Sequence, residues 1–321
     1  MCKSCGAVRP GANRLSYPLE VFTMKKTNLA VRSAAERLVI RKSRAGHPIP
    51  VFAGPGHTVA EVFGSHRLSD TDPFVMLMDD RLDFTPGQPV GEPHPHAGLE
   101  TVTLMLEGSL NDPAEGLLEE GDLAWTIAGR GVVHNEEVTA TGRARILQLW
   151  VALPRTLRNV DPDFELVPLH SLPIRREPGV EARLYSGSSG LLVSPTRNRI
   201  PMTIVDFHLQ RDARAIQALP GSYSGFLYVV SGSVSAGGAR LASGEVGWVG
   251  TVGAKNTDLA LQAGSSGARA ILYAGKPLAE PLTQCGPFVA GSDGEISEQY
   301  RAYRAGSFKH MSEIGAAHRG T

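Results

Sequence analysis

Cysteine is scarce in this chain: its 321 residues contain only Cys2, Cys5 and Cys285. Three thiols cannot build the disulfide framework of a small secreted domain. Cys2-x-x-Cys5 has the spacing of half a zinc knuckle, but no second pair follows, so it reads as leader rather than metal site. Long apolar runs are missing as well. Nothing approaches the roughly 18 residues of a membrane-spanning helix. Excess charge is absent too, because 32 Lys and Arg balance 32 Asp and Glu. That balance removes the electrostatic case for direct nucleic-acid binding. Residues 1–23 lack the apolar stretch of a secretory signal, and Met24-Lys25-Lys26-Thr27 is an ordinary translation start. A cytoplasmic protein with a disordered extension over residues 1–28 is the expectation.

Glycine and proline are plentiful, with 36 and 22 residues. Together they exceed the average share of about 12%, which indicates many turns between short elements. Short apolar runs bounded by turn residues recur at Leu38–Arg41, Val59–Phe63, Phe74–Met78, Thr101–Leu106, Asp122–Ile127, Val132–Glu136 and Ile146–Leu153. They resume at Arg183–Tyr185, Thr203–Leu209, Gly225–Val230, Gly247–Val249 and Ala268–Tyr273. Such spacing predicts sandwiches or barrels. Between the two sets, Asp161–Pro178 holds Pro162, Pro168, Pro173 and Pro178 and reads as a crossing linker. One segment near the end has helical periodicity: Ile296, Tyr300 and Tyr303 form a stripe, with Asp293 as N-cap and Gly306 beyond the end. That stripe is expected to dock on the protein's own core.

The chain repeats itself. Thr103-Leu104-Met105-Leu106-Glu107-Gly108-Ser109-Leu110, then Gly121-Asp122-Leu123-Ala124-Trp125, is answered about 124 residues later by Leu227-Tyr228-Val229-Val230-Ser231-Gly232-Ser233-Val234, then Gly244-Glu245-Val246-Gly247-Trp248. A period this long marks a duplicated domain rather than a solenoid, whose repeats run about 20–50 residues. Strand, Gly turn, strand and Gly-acid-strand resembles the hairpins of the cupin barrel, a small jelly roll.

Two histidine pairs carry the chemistry. In His94-Pro95-His96 and His134-Asn135-Glu136, residues i and i+2 of an extended strand share a face, and Pro95 keeps His94 out of the helical region. If the two strands are neighbours, three imidazoles and a carboxylate converge. Such a set leaves two adjacent open positions on an octahedral ion and suits Fe(II) or another borderline transition metal. Without thiolates, a closed structural zinc site is not indicated. By the repeat offset these positions fall near Ala218, Pro220, Thr257 and Leu259, which form no ligand set, so one half binds metal and the other does not. His170 and His208 are read as structural or surface residues.

The stretches His94–Thr103 and Trp125–Glu136, with Asp72-Pro73-Phe74-Val75-Met76-Leu77, Gln148-Leu149-Trp150-Val151 and Gly286-Pro287-Phe288-Val289, resemble the signatures of the pirin family over about residues 46–308. The resemblance implies an all-β bicupin: a metal-binding barrel over 29–160, a linker over 161–178, and a second barrel without ligands over 179–321, ending in a helix and tail. It implies one metal ion, Fe(II) first and Mn, Ni, Cu or Zn as alternatives, held by His94, His96, His134 and Glu136. It also implies quercetin 2,3-dioxygenase activity on a flavonol and O2 with release of CO, Glu136 serving as general base. Val133, Met76, Leu99 and Met105 are then expected to line the cavity. The alternative is a metal- and redox-responsive regulator acting through a protein partner such as a transcription factor. Ala97, Leu99, the short loop Ser109–Glu120 and the Asp79-Asp80 ending depart from the family pattern.

Overall fold

The computed structural model describes residues 35–50, 56–64, 68–84, 93–134, 142–196 and 198–318. Cys2, Cys5, Met24, Glu136 and the extension over 1–28 lie outside them.

Strands dominate, as the turn-rich sequence demands, and they assemble into two large sheets, one for each half of the repeat. The first sheet runs in the order Asp163–Val167, Leu123–Ile127, Leu99–Glu107, Gly142–Ala152, Phe74–Phe84, His57–Phe63 and Ile49–Pro50. The second has its centre at Thr257–Gly275, flanked by Met202–Leu209 and Ser224–Ala236, with Val180–Ser186 and Glu245–Val249 beyond.

Alternation along each strand decides what it faces. On Leu99–Glu107, Val102, Leu104 and Leu106 enter a core shared with Phe226, Tyr228, Trp248, Ile271 and Tyr273 of the second sheet. The opposite face of the same strand turns into the first barrel, where Leu99 and Met105 are buried. Aromatics are only 6% of the chain, yet Phe63, Phe74, Phe226, Trp248 and Tyr273 gather at the seam with ring centroids 4.9 to 5.3 Å apart. A polar lock crosses the same seam. Arg145 donates two hydrogen bonds to the Asp79 carboxylate at 2.8 and 2.7 Å, and the Tyr228 hydroxyl donates to it at 2.7 Å.

Strands near both limits of the described residues cross over. Ala35–Glu36 and Val39–Arg44 fall inside the expected N-terminal domain, but pair with Thr257–Gly275 and Glu245–Val249 of the second sheet. At the other end, Lys309–His310 lies parallel to Val132–His134 of the first half.

Three sequence expectations need correction. The segment 161–178 is not a bare linker. It contains the edge strand Asp163–Val167, a 3-10 turn at Leu169–Ser171 and the edge strand Ile174–Glu177. Its four prolines sit immediately outside these elements, because a residue without an N–H is excluded from the ladder but tolerated at strand ends; they punctuate structure. The helix Asp293–Arg304 is capped by Ser292, not Asp293: the Ser292 hydroxyl accepts from Glu295 N, and the Glu295 carboxylate accepts from Gly291 N at 2.9 Å. Ser292 thus satisfies a first-turn amide, and Glu295 reaches back past the cap to the residue before it. A further helix, Met311–His318, has too short a stripe to register as periodic, yet buries Met311 and Ile314 in the first barrel. The Ile296–Tyr300–Tyr303 stripe docks on Phe288 and Phe308 as expected.

Candidate metal centre

His94–His96 pairs antiparallel with Val132–His134, setting His94 opposite His134 and His96 opposite Val132. Since i and i+2 share a face, all three rings turn the same way. Their Nε2 atoms converge: His134 lies 2.8 Å from His94 and 3.1 Å from His96. Each ring meets the other two edge-on. Among the described residues, these three histidines form a group that could hold a metal ion.

The donor set fits such an ion. Two nitrogens bound at adjacent positions of an octahedral ion, each about 2.1 Å from it, stand about 3.0 Å apart. Burial pushes the His96 imidazole well below its usual range, with His134 and His94 acting in the same direction and the Pro287 carbonyl against it. It is therefore neutral at physiological pH, the state a ligand requires. His134 is oriented from behind: its Nδ1 lies 3.3 Å from the Glu115 carboxylate, an arrangement in which Nδ1–H donates and Nε2 keeps its lone pair toward the cluster. The Trp150 ring packs edge-on against His96 at 4.8 Å.

Glu115 escaped the sequence reading because it is 19 residues before His134. A local signal exists. Asn111-Asp112-Pro113-Ala114-Glu115-Gly116 has turn composition, and the Asp112 carboxylate accepts from the amides of Ala114 and Glu115 at 2.6 and 2.8 Å. That Asx turn shapes the Ser109–Asp112/Gly116–Glu119 hairpin and aims Glu115. Burial pushes the Asp112 carboxyl up, while these amides hold it down.

The C-terminal segment braces both ligand strands. Ala97 bridges Phe288, and Val289 N donates to Ala97 O at 3.0 Å. Gly98 has φ +76, and a Cβ there would collide with the Val289 carbonyl oxygen. At Gly131, φ +142, a Cβ would enter the Phe308 ring. Both approaches require glycine.

The histidines close one side of a cavity of about 470 Å³. Its wall comes from Val59, Met78, Leu82, Thr101, Thr103, Ile146, Gln148, Trp150, Phe164 and Leu166, with His57 and Asp80. The expected lining is corrected. Leu99 and Met105 share the inward face with Thr101 and Thr103, but lie in packed core at the ends of the strand. Val133 points away into the Phe288 cluster, and Met76, half-buried, is not part of the wall. Glu136 lies outside the described residues.

The second barrel has no such site among the described residues. Its interior is packed by Leu184, Phe207, Leu227, Leu259, Leu272 and their neighbours. His208 pairs with Asp206 at 3.0 Å, and His170 is exposed; neither approaches a ligand cluster.

Two family descriptions match the chain: "Pirin" over residues 56–151 and "Pirin C-terminal cupin domain" over residues 204–309. Pirin-1 of Arabidopsis thaliana is 34% identical over 249 residues, 73% of this chain and 82% of that protein. Rattus norvegicus pirin is 34% identical over 269 residues, 78% of this chain and 87% of its own. Among solved structures, a quercetin 2,3-dioxygenase from Acinetobacter baumannii superposes with a TM-score of 0.76 at 26% identity, covering 85% of this chain and 99% of that one.

Proposed function

The chain belongs to the pirin family, and from that premise we propose that it is a metal-dependent dioxygenase of the quercetin 2,3-dioxygenase type. One observation carries the reading: three Nε2 atoms converge beside a largely apolar cavity large enough for a planar aromatic molecule. The ligands we assign are His94, His96, His134 and Glu136, and the ion is Fe(II). Bound there, it supplies a Lewis acid and a redox partner for O2.

The chain's own residues do the rest. Glu136, two positions beyond His134, takes the proton of the flavonol 3-hydroxyl. Glu115 keeps the His134 proton on Nδ1, and the Trp150 edge holds the His96 ring in place. Met78, Ile146, Phe164 and Leu166 cover the faces of the flavonol and exclude water. The overall reaction joins O2 to the flavonol and releases CO and a depside, which balances without another oxidant.

The test is anaerobic loading of metal-free protein with Fe(II), Mn(II), Ni(II) or Cu(II), then assay of quercetin loss with equimolar O2 uptake and CO release. Turnover that disappears in His134→Ala and Glu136→Ala is expected. Lack of turnover with every metal overturns the dioxygenase reading; full turnover in those variants overturns the assigned site.

A further inference from the structure

A second polar group sits on the cavity wall, away from the histidine cluster. His57 Nε2 lies 2.8 Å from Asp80 Oδ1, with Nε2–H as donor, and both side chains are only 12% exposed. His57 Nδ1 is buried with no hydrogen-bond partner among the described residues. A histidine–carboxylate pair held this far from water contributes little net stability compared with apolar side chains of similar size.

The duplicated barrel shows that the fold does not need it. In the first sheet Asp80 pairs with Ile146 and Val59, His57 with Leu82, and Gln148 with Thr103. In the second sheet the same register pairs Phe207 with Ala270 and Ala182, Val180 with Leu209, and Leu272 with Leu227. So Asp80, His57, Gln148 and Thr103 correspond to Phe207, Val180, Leu272 and Leu227, all buried in one apolar core. The same architecture closes over hydrocarbon in one half and keeps polar groups around a cavity in the other.

The dyad's place along the strand sets its role. Trp150 packs on His96 and marks the metal end, while Ile146 faces Asp80. Four residues separate them, about 13 Å at the usual strand rise. We infer that His57, oriented by Asp80, is a specificity residue that hydrogen-bonds the far end of an elongated polyphenol whose near end occupies the histidine cluster. His57 touches substrate; Asp80 is a positioning residue. The inference rests on the flavonol reading above and adds to it a preference for ligands with a distal hydroxyl.

The test is anaerobic binding of quercetin and 3-hydroxyflavone to the Zn(II)-loaded protein, followed by ligand absorbance without turnover. Both ligands share the 3-hydroxyl and 4-keto groups, but quercetin also carries distal hydroxyls. Wild type is expected to favour quercetin by at least about tenfold, the worth of one buried hydrogen bond to a polar partner. His57→Phe is expected to reduce that preference to about twofold while leaving 3-hydroxyflavone affinity within about twofold. Where His57→Phe does not fold, His57→Gln and Asp80→Asn decide, each expected to lower the preference at least about threefold. An unchanged preference in folded variants overturns the dyad's role alone. Failure of the wild type to bind either ligand overturns the flavonol reading and this inference with it.

Discussion

Arg37 Nε donates to Thr257 Oγ1 across 2.8 Å inside the second barrel, at the place His134 holds in the first. Thr257 faces Leu219 in the antiparallel register as His134 faces His94. The same guanidinium donates to the carbonyls of Tyr223 and Pro220 at 2.8 and 2.7 Å, and to that of Gly250. One barrel thus keeps histidines where the other receives a cation from the short connection between Ala35–Glu36 and Val39–Arg44.

Arg37→Met is therefore expected to remove the donor that the Tyr223 and Gly250 carbonyls and the Thr257 hydroxyl share in a buried site, while the Pro220 carbonyl keeps its bond from Tyr223 N. The loss should be about 2–4 kcal/mol, the cost of leaving buried neutral acceptors without a donor, read as a lower urea midpoint. Metal content of the folded variant should stay at the wild-type level, because the histidine cluster is in the other barrel.

Glu115→Gln should bind metal more weakly by about 10- to 100-fold, the usual effect of removing a carboxylate behind a ligating imidazole. His96→Ala and His134→Ala should abolish stoichiometric binding. Competition with a chromophoric chelator, monitored by metal analysis, separates the two grades of effect. Equal affinity of Glu115→Gln and wild type would show that His134 needs no such partner.

Glu100 gives a pH dependence with a definite sign. Burial pushes its carboxyl up from the usual 4.5 to about 7, against the opposing hydrogen bonds from Arg199 N and Trp125 Nε1. The folded protein therefore holds a proton that the unfolded chain releases between these values. Stability from this group falls as pH rises from about 4.5 to 7 and is flat above, by about 3 kcal/mol in total. Urea unfolding at pH 5 and pH 8 should show that decline in wild type and a flatter profile in Glu100→Gln.

Gly98→Ala should loosen the C-terminal segment, since the new Cβ meets the Val289 carbonyl oxygen from a left-handed backbone. Limited proteolysis is expected to cut between residues 276 and 318 sooner than in wild type. Metal affinity should drop along with it, because Val289 N holds the carbonyl of Ala97, the residue after His96.

Much was legible in the sequence, for identifiable reasons. His94 and His96, two apart across a proline, had to share a face, so three members of the expected ligand set could be named from spacing. The repeat showed two barrels, and its offset placed Ala218, Pro220, Thr257 and Leu259 near the positions of the expected ligands. Less legible were Glu115, brought to His134 by an Asx turn, and the His57–Asp80 pair, 23 residues apart and joined only by strand pairing. The lining prediction had the parity of Leu99 and Met105 right but not their depth, because alternation assigns a face without saying where along the strand the cavity begins.

By itself, then, the sequence determined the fold class, the duplication and the histidine set, because each depends on local periodicity or on similarity between two stretches of one chain. Tertiary structure alone decided the rest: that Val39–Arg44 and Lys309–His310 each pair with the opposite half, that Arg37 enters the second barrel, and that a polar dyad survives on the wall of the first. Those relationships join residues distant in the chain, and sheet register rather than sequence spacing brings them together.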